Sequence, residues 1–163
     1  MKEYMKCARE VLDFIEKSPS CFHAVANVKE MLQEQGFTEV KEAQKWELVP
    51  GEGYYVTRND SALIAFRLPE KPARGFHMTA AHSDSPTFKI KENPELANAF
   101  CVRLDTEKYG GMLMNTWFDR PLSIAGRVIT AKAGRLQTVL VDLDRDLAVI
   151  PSVAIHMNRA AND

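Results

Sequence analysis

The stretch GFHMTAAHSDSP, residues 75–86, carries the pattern that decides the fold. Gly75 to Ala81 is a compact apolar run, of the kind found in strands that are buried on both faces of a sheet, and it leads directly into His82. Open α/β sheets bind their ligands just beyond the carboxyl ends of the strands. We therefore predict a buried strand over residues 75–81 that presents His82 to a crevice.

His82 and Asp84 form an H-x-D pattern at the end of this predicted strand. A neutral imidazole is a good zinc ligand, and a carboxylate two residues further on can orient the ligands or tune the charge of the metal. The three-residue pattern alone favours a plainer alternative, a hydrogen-bonded histidine at a strand end. The apolar run before the pattern and Ser85-Pro86 after it shift the balance to a metal site.

A second histidine, His156, lies in the stretch IPSVAIHMNR, residues 150–159. It follows apolar residues and precedes polar ones. Two functional interpretations stay open, a second metal ligand or a donor to a substrate carbonyl. On local grounds alone, an ordinary histidine at a strand end is favoured over both.

A third segment, GGMLMNTWFDRPL, covers residues 110–122. Its glycines give backbone freedom, and Trp117 and Phe118 supply large apolar surfaces. Because the G-x-x-x-x-G-K-[ST] pattern is missing, the glycines do not form a phosphate-binding loop. We interpret the segment as an architectural turn or the lining of a pocket.

The spacing of apolar residues differs between the N-terminal and the C-terminal parts of the chain. Apolar residues at helical spacing predict two helices, one before the Ser18-Pro19-Ser20 break and one that Ser20 caps and Gly36 ends. Further strands are predicted over residues 46–50, 54–58, 62–67, 87–92, 98–104, 122–131, 136–141 and 147–150. Asn59-Asp60-Ser61 predicts a short hairpin between the strands that flank it, and Ala133-Gly134-Arg135 predicts a second hairpin turn. The change from an α/β pattern to a β-rich one predicts a domain boundary near Pro86–Pro94, which divides the chain into residues 1–90 and 91–163.

The composition excludes several classes of protein. The net charge of −1 over 163 residues gives no basic face for a nucleic acid. No apolar run reaches the roughly 20 residues that span a bilayer, so no membrane partner is expected. The charged N-terminus is not a secretory signal, and three scattered cysteines suit a reducing, cytoplasmic location. The G-x-S-x-G and H-E-x-x-H patterns of other hydrolases are missing.

Three stretches together resemble one family. AAHSDSPTFKIK, YGGMLMNTWFDRPLSIAGRV and IPSVAIHMNR are similar to segments of the aspartyl aminopeptidases, zinc exopeptidases of peptidase family M18. The resemblance implies an α/β fold in which an α/β/α catalytic domain is interrupted by a β-rich dimerisation domain. Residues 1–90 would be the N-terminal part of the catalytic domain, and residues 91–163 part of the dimerisation domain.

The resemblance also implies roles for individual residues. His82 corresponds to a zinc ligand and Asp84 to the catalytic carboxylate beside the metal centre. His156 matches a histidine that is either a zinc ligand or a substrate contact from a neighbouring subunit. Two zinc ions in the complete enzyme would activate water to hydrolyse the N-terminal residue, Asp or Glu, from a peptide. Substrate-binding residues stay unassigned, and Ser83 stands where threonine is common in the family.

Members of the family continue well beyond the length of this chain and supply further metal ligands and a glutamate base. We therefore expect the 163 residues alone to be inactive, and the whole protein to be a homo-oligomer joined through the β-rich domain. Two alternatives differ in class, an assembly module without catalysis and a metal-binding protein without hydrolysis.

Overall fold

The computed structural model describes residues 2–160 and shows a mixture of helices and short sheets. Its helices and strands, in chain order, are α1 (Lys2–Glu16), α2 (Cys21–Glu34), β1 (Thr38–Glu39), β2 (Gly53–Arg58), β3 (Ala62–Arg67), β4 (Thr87–Ala97), β5 (Val102–Tyr109), a 3-10 helix (Met114–Trp117), β6 (Ala125–Lys132), β7 (Arg135–Asp142) and a second 3-10 helix (Ile155–Met157). No described helix is both long enough and apolar enough to cross a membrane.

The two predicted helices are confirmed. Ser20 is the N-cap residue of α2, but its hydroxyl bonds to the ring Nδ1 of His23 at 2.8 Å rather than to a backbone amide. At the other end Gly36 adopts a left-handed backbone with φ of 78°, which a glycine reaches without steric cost. His23 is therefore part of the helix start.

The first sheet has the order β1-β2-β3, with β1 parallel and β3 antiparallel to β2. Strands β2 and β3 form the predicted hairpin, and α2 packs on this sheet to bury Val25, Tyr54 and Tyr55. Tyr55 is completely buried, and its hydroxyl accepts a hydrogen bond from Gln33 Nε2 at 2.6 Å. The sheet and α2 thus share one small core.

Two further hairpins follow. Strands β4 and β5 pair antiparallel, with a register shift between Ile90 and Glu95. Strands β6 and β7 pair without interruption around Ala133 and Gly134, which have φ of 50° and 73°. Two successive positive φ values are the geometry that a two-residue hairpin turn needs, so the predicted turn at this point is confirmed.

The chain divides into two compact units. One contains the residues up to Asp84 together with Ala125–Asp142, and the other contains Ser85–Ile124 together with the residues from Leu143 onward. Strands β6 and β7 thus belong to the unit that holds α2 and the first sheet. The predicted division at residue 90 stays a prediction.

The strand predicted over residues 75–81 is not formed in this structure. These residues carry no regular strand, and the side chains of Phe76 and Met78 are 89% and 88% exposed. A strand buried on both faces requires neighbouring strands and covering helices. Each described strand pairs within the three sheets above, so none satisfies this segment.

Other strand predictions also need correction. Residues 45–49 are irregular, and residues 98–101 form the turn before β5. Residues 147–150 contribute only isolated bridges, Leu122 with Ala148 and Phe118 with Ile150. Alternation and β-branched residues mark extended backbone, but continuous pairing with a neighbour makes it a strand.

Candidate metal site

His82 lies at the surface, in the irregular segment that precedes β4. Its side chain is 79% exposed, so the ring is not enclosed in the crevice that we predicted. The Nδ1 atom lies 2.6 Å from the backbone carbonyl oxygen of Asp84 and 3.3 Å from the Asp84 carboxylate. The predicted neighbourhood of the imidazole and the carboxylate is therefore present, although the predicted strand before it is not.

The contact with Asp84 selects the tautomer of His82. A carbonyl oxygen only accepts hydrogen bonds, so Nδ1 must carry the hydrogen and donate it. In the neutral ring the lone pair then resides on Nε2. A metal-binding histidine commonly donates its other ring N–H to a carbonyl or carboxylate, which orients the ring. His82 is thus arranged to offer Nε2 to a metal ion.

Ser83 ties the same segment to the first sheet. Its hydroxyl donates a hydrogen bond to the carbonyl oxygen of Ser61, at 2.7 Å, in the turn between β2 and β3. That turn is held in addition by Arg127 of β6, which donates to the carbonyl and side-chain oxygens of Asn59 at 2.8 Å and 2.9 Å. The H-x-D pattern is therefore linked to a folded element although its own segment is irregular.

His156 lies in the second compact unit, in the 3-10 helix Ile155–Met157, and is exposed. The segment before it runs beside the residues that follow Trp117. Asp119 accepts a hydrogen bond from the Ser152 backbone N–H at 2.8 Å, and hydrogen bonds from Ser152 hold the pKa of the Asp119 carboxyl below its ordinary value. The structure therefore brings together two stretches that the sequence singled out, residues 150–159 and residues 110–122.

The donors of the described residues fit part of a zinc site. His82 offers a correctly oriented nitrogen, and Asp84 supplies a carboxylate next to it. A catalytic zinc ion takes three protein ligands and leaves one position open. Within residues 2–160, no group of three or more His, Cys, Asp and Glu side chains comes together to hold a metal ion. His82 and Asp84 are suitable zinc donors, but they need further ligands.

Solved structures of similar fold include "Crystal structure of yeast aminopeptidase 1 (Ape1)", which is 30% identical, with a TM-score of 0.80, and covers 92% of this chain and 36% of that chain. "Structure of S. cerevesiae mApe1 dodecamer" is 30% identical, with a TM-score of 0.80, and covers 94% of this chain and 37% of that chain. "Cryo-EM structure of the Ape4 and Nbr1 complex" is 42% identical, with a TM-score of 0.89, and covers 96% of this chain and 31% of that chain. The class of protein indicated is an aminopeptidase.

The family follows from the sequence comparisons. The model of the family described as Aminopeptidase I zinc metalloprotease (M18) matches residues 14–163. A curated relative from Clostridium novyi, named "Probable M18 family aminopeptidase 2", is 48% identical over 168 residues. The chain belongs to the M18 family of zinc metalloproteases. It spans 39% of the length of that relative, although 99% of the chain is aligned.

Sequence reasoning missed two of the contacts that shape the candidate site. The bond between Ser83 and Ser61 joins residues 22 positions apart, and that between Asp119 and Ser152 joins residues 33 apart. A serine or an aspartate in a loop has many possible partners, so no local pattern identifies these two. The identity of Asp119 was a usable signal for a turn at this position. Aspartate tolerates the left-handed backbone found there better than most residues do.

Proposed function

We propose that the whole protein is a zinc-dependent aminopeptidase that releases the N-terminal residue, Asp or Glu, from peptides. The observation that carries the proposal is the geometry of His82, whose Nδ1 donates to the Asp84 carbonyl oxygen at 2.6 Å and leaves Nε2 available. Membership of a zinc metalloprotease family supports the choice of metal. The acidic preference rests on the resemblance to aspartyl aminopeptidases.

The roles of the chain's own residues follow from their chemistry. His82 would hold zinc through Nε2, while its Nδ1–H keeps the ring oriented against Asp84. The Asp84 carboxylate, 3.3 Å from the ring, would stabilise positive charge at the site and keep the ligands aligned. Zinc, when bound, supplies a Lewis acid that lowers the pKa of water and polarises a peptide carbonyl. His156 would contribute either as a ligand or as a contact with the substrate.

The same proposal covers the arrangement of the whole protein. The chain spans 39% of a curated relative. The rest of the whole protein would supply the missing ligands, including those of a second zinc ion, and the general base. It would also supply the strands that complete an α/β/α domain around residues 1–90, with residues 91–163 in an inserted β-rich domain. Similarity to an aminopeptidase solved as a dodecamer supports a homo-oligomer, and the scattered cysteines support a cytoplasmic location.

The test is hydrolysis by the full-length protein. Purified protein is assayed with the p-nitroanilides of aspartate, glutamate and leucine, before and after dialysis against a chelator and after addition of zinc. We expect release from the acidic substrates that the chelator abolishes and zinc restores. His82→Ala should lower kcat/KM by about two orders of magnitude or more, since even residues that only orient a ligand contribute about 10- to 100-fold.

His23→Ala is the matched control, because His23 is bonded to Ser20 at the start of α2 and has no part in the proposed site. It should retain activity. Hydrolysis that survives the chelator, or equal activity in the wild type and His82→Ala, would contradict the proposed function. Faster cleavage of the leucine substrate would reject the acidic preference alone.

A further inference from the structure

The segment that leads to His156 is held by the loop after Trp117. Phe118 forms a bridge with Ile150, and the Asp119 backbone N–H donates to the Ile150 carbonyl oxygen at 3.0 Å. Further along, the Leu122 N–H donates to the carbonyl oxygen of Ala148 at 2.8 Å. Residues 118–122 therefore run beside residues 148–152 and limit their movement.

The Asp119 side chain makes the last of these contacts. Its Oδ1 accepts a hydrogen bond from the Ser152 N–H at 2.8 Å, and hydrogen bonds from Ser152 favour the ionised form of the carboxyl. Hydrogen bonds to an ionised acceptor are about twice as strong as neutral ones. The backbone of Asp119 is left-handed, with φ of 56°, a conformation that non-glycine residues seldom adopt. The Asp119 carboxylate thus reaches the Ser152 N–H from a residue whose backbone is left-handed.

Little chain separates this anchor from His156. Ser152 is followed by Val153 and Ala154, and the Ala154 carbonyl oxygen already accepts a hydrogen bond from Met157 N–H at 2.8 Å in the 3-10 helix that contains His156. Only Val153 lies between Ser152 and Ala154, the N-cap residue of this 3-10 helix, so a shift at Ser152 would also displace His156. Release of Ser152 would therefore let the His156 ring occupy a wider region.

We propose that Asp119 is a positioning residue for His156, and that it acts by holding the Ser152 amide at the start of the segment that presents the imidazole. The inference rests on the proposed aminopeptidase function, in which His156 binds metal or contacts substrate. It assigns a task to the aspartate of residues 110–122, a segment interpreted above only as an architectural turn or the lining of a pocket.

The experiment compares Asp119→Ala, Asp119→Asn, His156→Ala and the double variant Asp119→Ala/His156→Ala in the full-length protein. Hydrogen–deuterium exchange reports the protection of residues 150–157, and steady-state kinetics with the aspartate and glutamate p-nitroanilides report kcat and KM. Asparagine keeps both an acceptor oxygen and tolerance of the left-handed backbone, so it serves as the conservative variant. Asn93→Ala controls for strain, since Asn93 lies in the same unit with φ of 51° and has no part in the proposed site.

We expect Asp119→Ala to speed exchange in residues 150–157 and to lower kcat/KM by about 10- to 100-fold, the equivalent of one charge-assisted hydrogen bond. The loss should divide between kcat and KM as it does in His156→Ala. Asp119→Asn should restore most of both properties. The double variant should be no worse than His156→Ala alone, because residues that act through one another are not additive.

Unchanged exchange in Asp119→Ala, or losses that multiply in the double variant, would overturn the proposal. Equal losses in Asp119→Ala and Asn93→Ala would also overturn it, because they would reflect backbone strain alone. A wild-type protein without aminopeptidase activity would instead reject the proposed function. In that case the exchange rates would still decide whether Asp119 holds the segment.

Discussion

At the scale of single residues, His82 shows how one hydrogen bond sets the chemistry of a side chain. In a neutral imidazole either ring nitrogen can carry the hydrogen. The 2.6 Å contact with the Asp84 carbonyl oxygen requires it on Nδ1. The adjacent Ser83 performs a different task, because its hydroxyl bonds to Ser61 and tethers the backbone. The hydrogen bond of His82 thus fixes the tautomer of the ring, while that of Ser83 attaches the segment to the fold.

The close packing of the Phe37 ring against Gly53 can be tested by a single substitution. A Cβ atom at this position would lie 2.7 Å from Cδ1 and 2.8 Å from Cε1 of the Phe37 ring. The Arg67 guanidinium lies 5.0 Å from the centroid of the same ring. Gly53→Ala should therefore destabilise the chain by about 1–3 kcal/mol, the usual cost of overpacking, as measured by urea unfolding.

Gly111→Ala is the control for this substitution. A Cβ atom at Gly111 meets no other atom within 4 Å, so its effect on the free energy of unfolding should stay within about 0.5 kcal/mol. Equal free energies of unfolding for Gly53→Ala and Gly111→Ala would show that the Phe37 ring is not fixed against β2.

At the scale of elements, the β6–β7 hairpin illustrates how distant parts of the chain become one unit. Arg127 of β6 donates to two oxygens of Asn59, and its guanidinium lies 4.1 Å from the centroid of the Phe22 ring in α2. One planar side chain therefore contacts both the β2–β3 turn and a helix. Residues 125–142 join the first unit in spite of the 40 residues, Ser85–Ile124, that intervene.

Arg127→Lys tests this attachment. Lysine keeps the charge but loses the planar fork and the stacking surface, so the substitution should cost about 1–2 kcal/mol and speed amide exchange across residues 125–142. Arg135→Lys is the matched control, since Arg135 is an exposed arginine at the far end of the same hairpin. If both variants exchange alike, the guanidinium of Arg127 does not hold the hairpin.

At the scale of the whole molecule, the main feature of the described residues is exposed apolar surface. Phe76 and Met78 are almost fully exposed in a segment that reads as a buried strand. The chain covers 39% of a curated relative's length. The core of the described residues is correspondingly small, centred on Val25, Tyr54 and Tyr55.

We predict that residues 75–81 form a protected strand only in the full-length protein. In the 163-residue chain their amides should exchange within seconds, and chymotrypsin should cleave after Phe76, because the segment pairs with none of the described strands. In the full-length protein both exchange and cleavage should be suppressed. The β2–β3 hairpin, residues 53–67, is the internal control and should be protected in both; equal exchange of residues 75–81 in both proteins would contradict the prediction.

Elements that depend on nearby residues could be predicted from the sequence, and elements that depend on distant partners could not. The two helices, the β2–β3 hairpin and the Ala133-Gly134 turn were predicted correctly, because helical spacing, caps and left-handed turn residues act within a few positions. The strand at residues 75–81 was predicted from an apolar run, and that run does not contain its partners. The roles of His82, Asp84 and His156 in catalysis stay predictions.

The sequence by itself determined the family, the helices, the hairpin turns and the identity of the candidate donors, since each depends on residue type and short-range spacing. Only the tertiary structure decided the hydrogen bonds of Ser83 with Ser61, of Arg127 with Asn59 and of Asp119 with Ser152. The reason is that a polar side chain in a loop is satisfied by whichever backbone group folding brings within about 3 Å, and that choice depends on the packing of the whole unit.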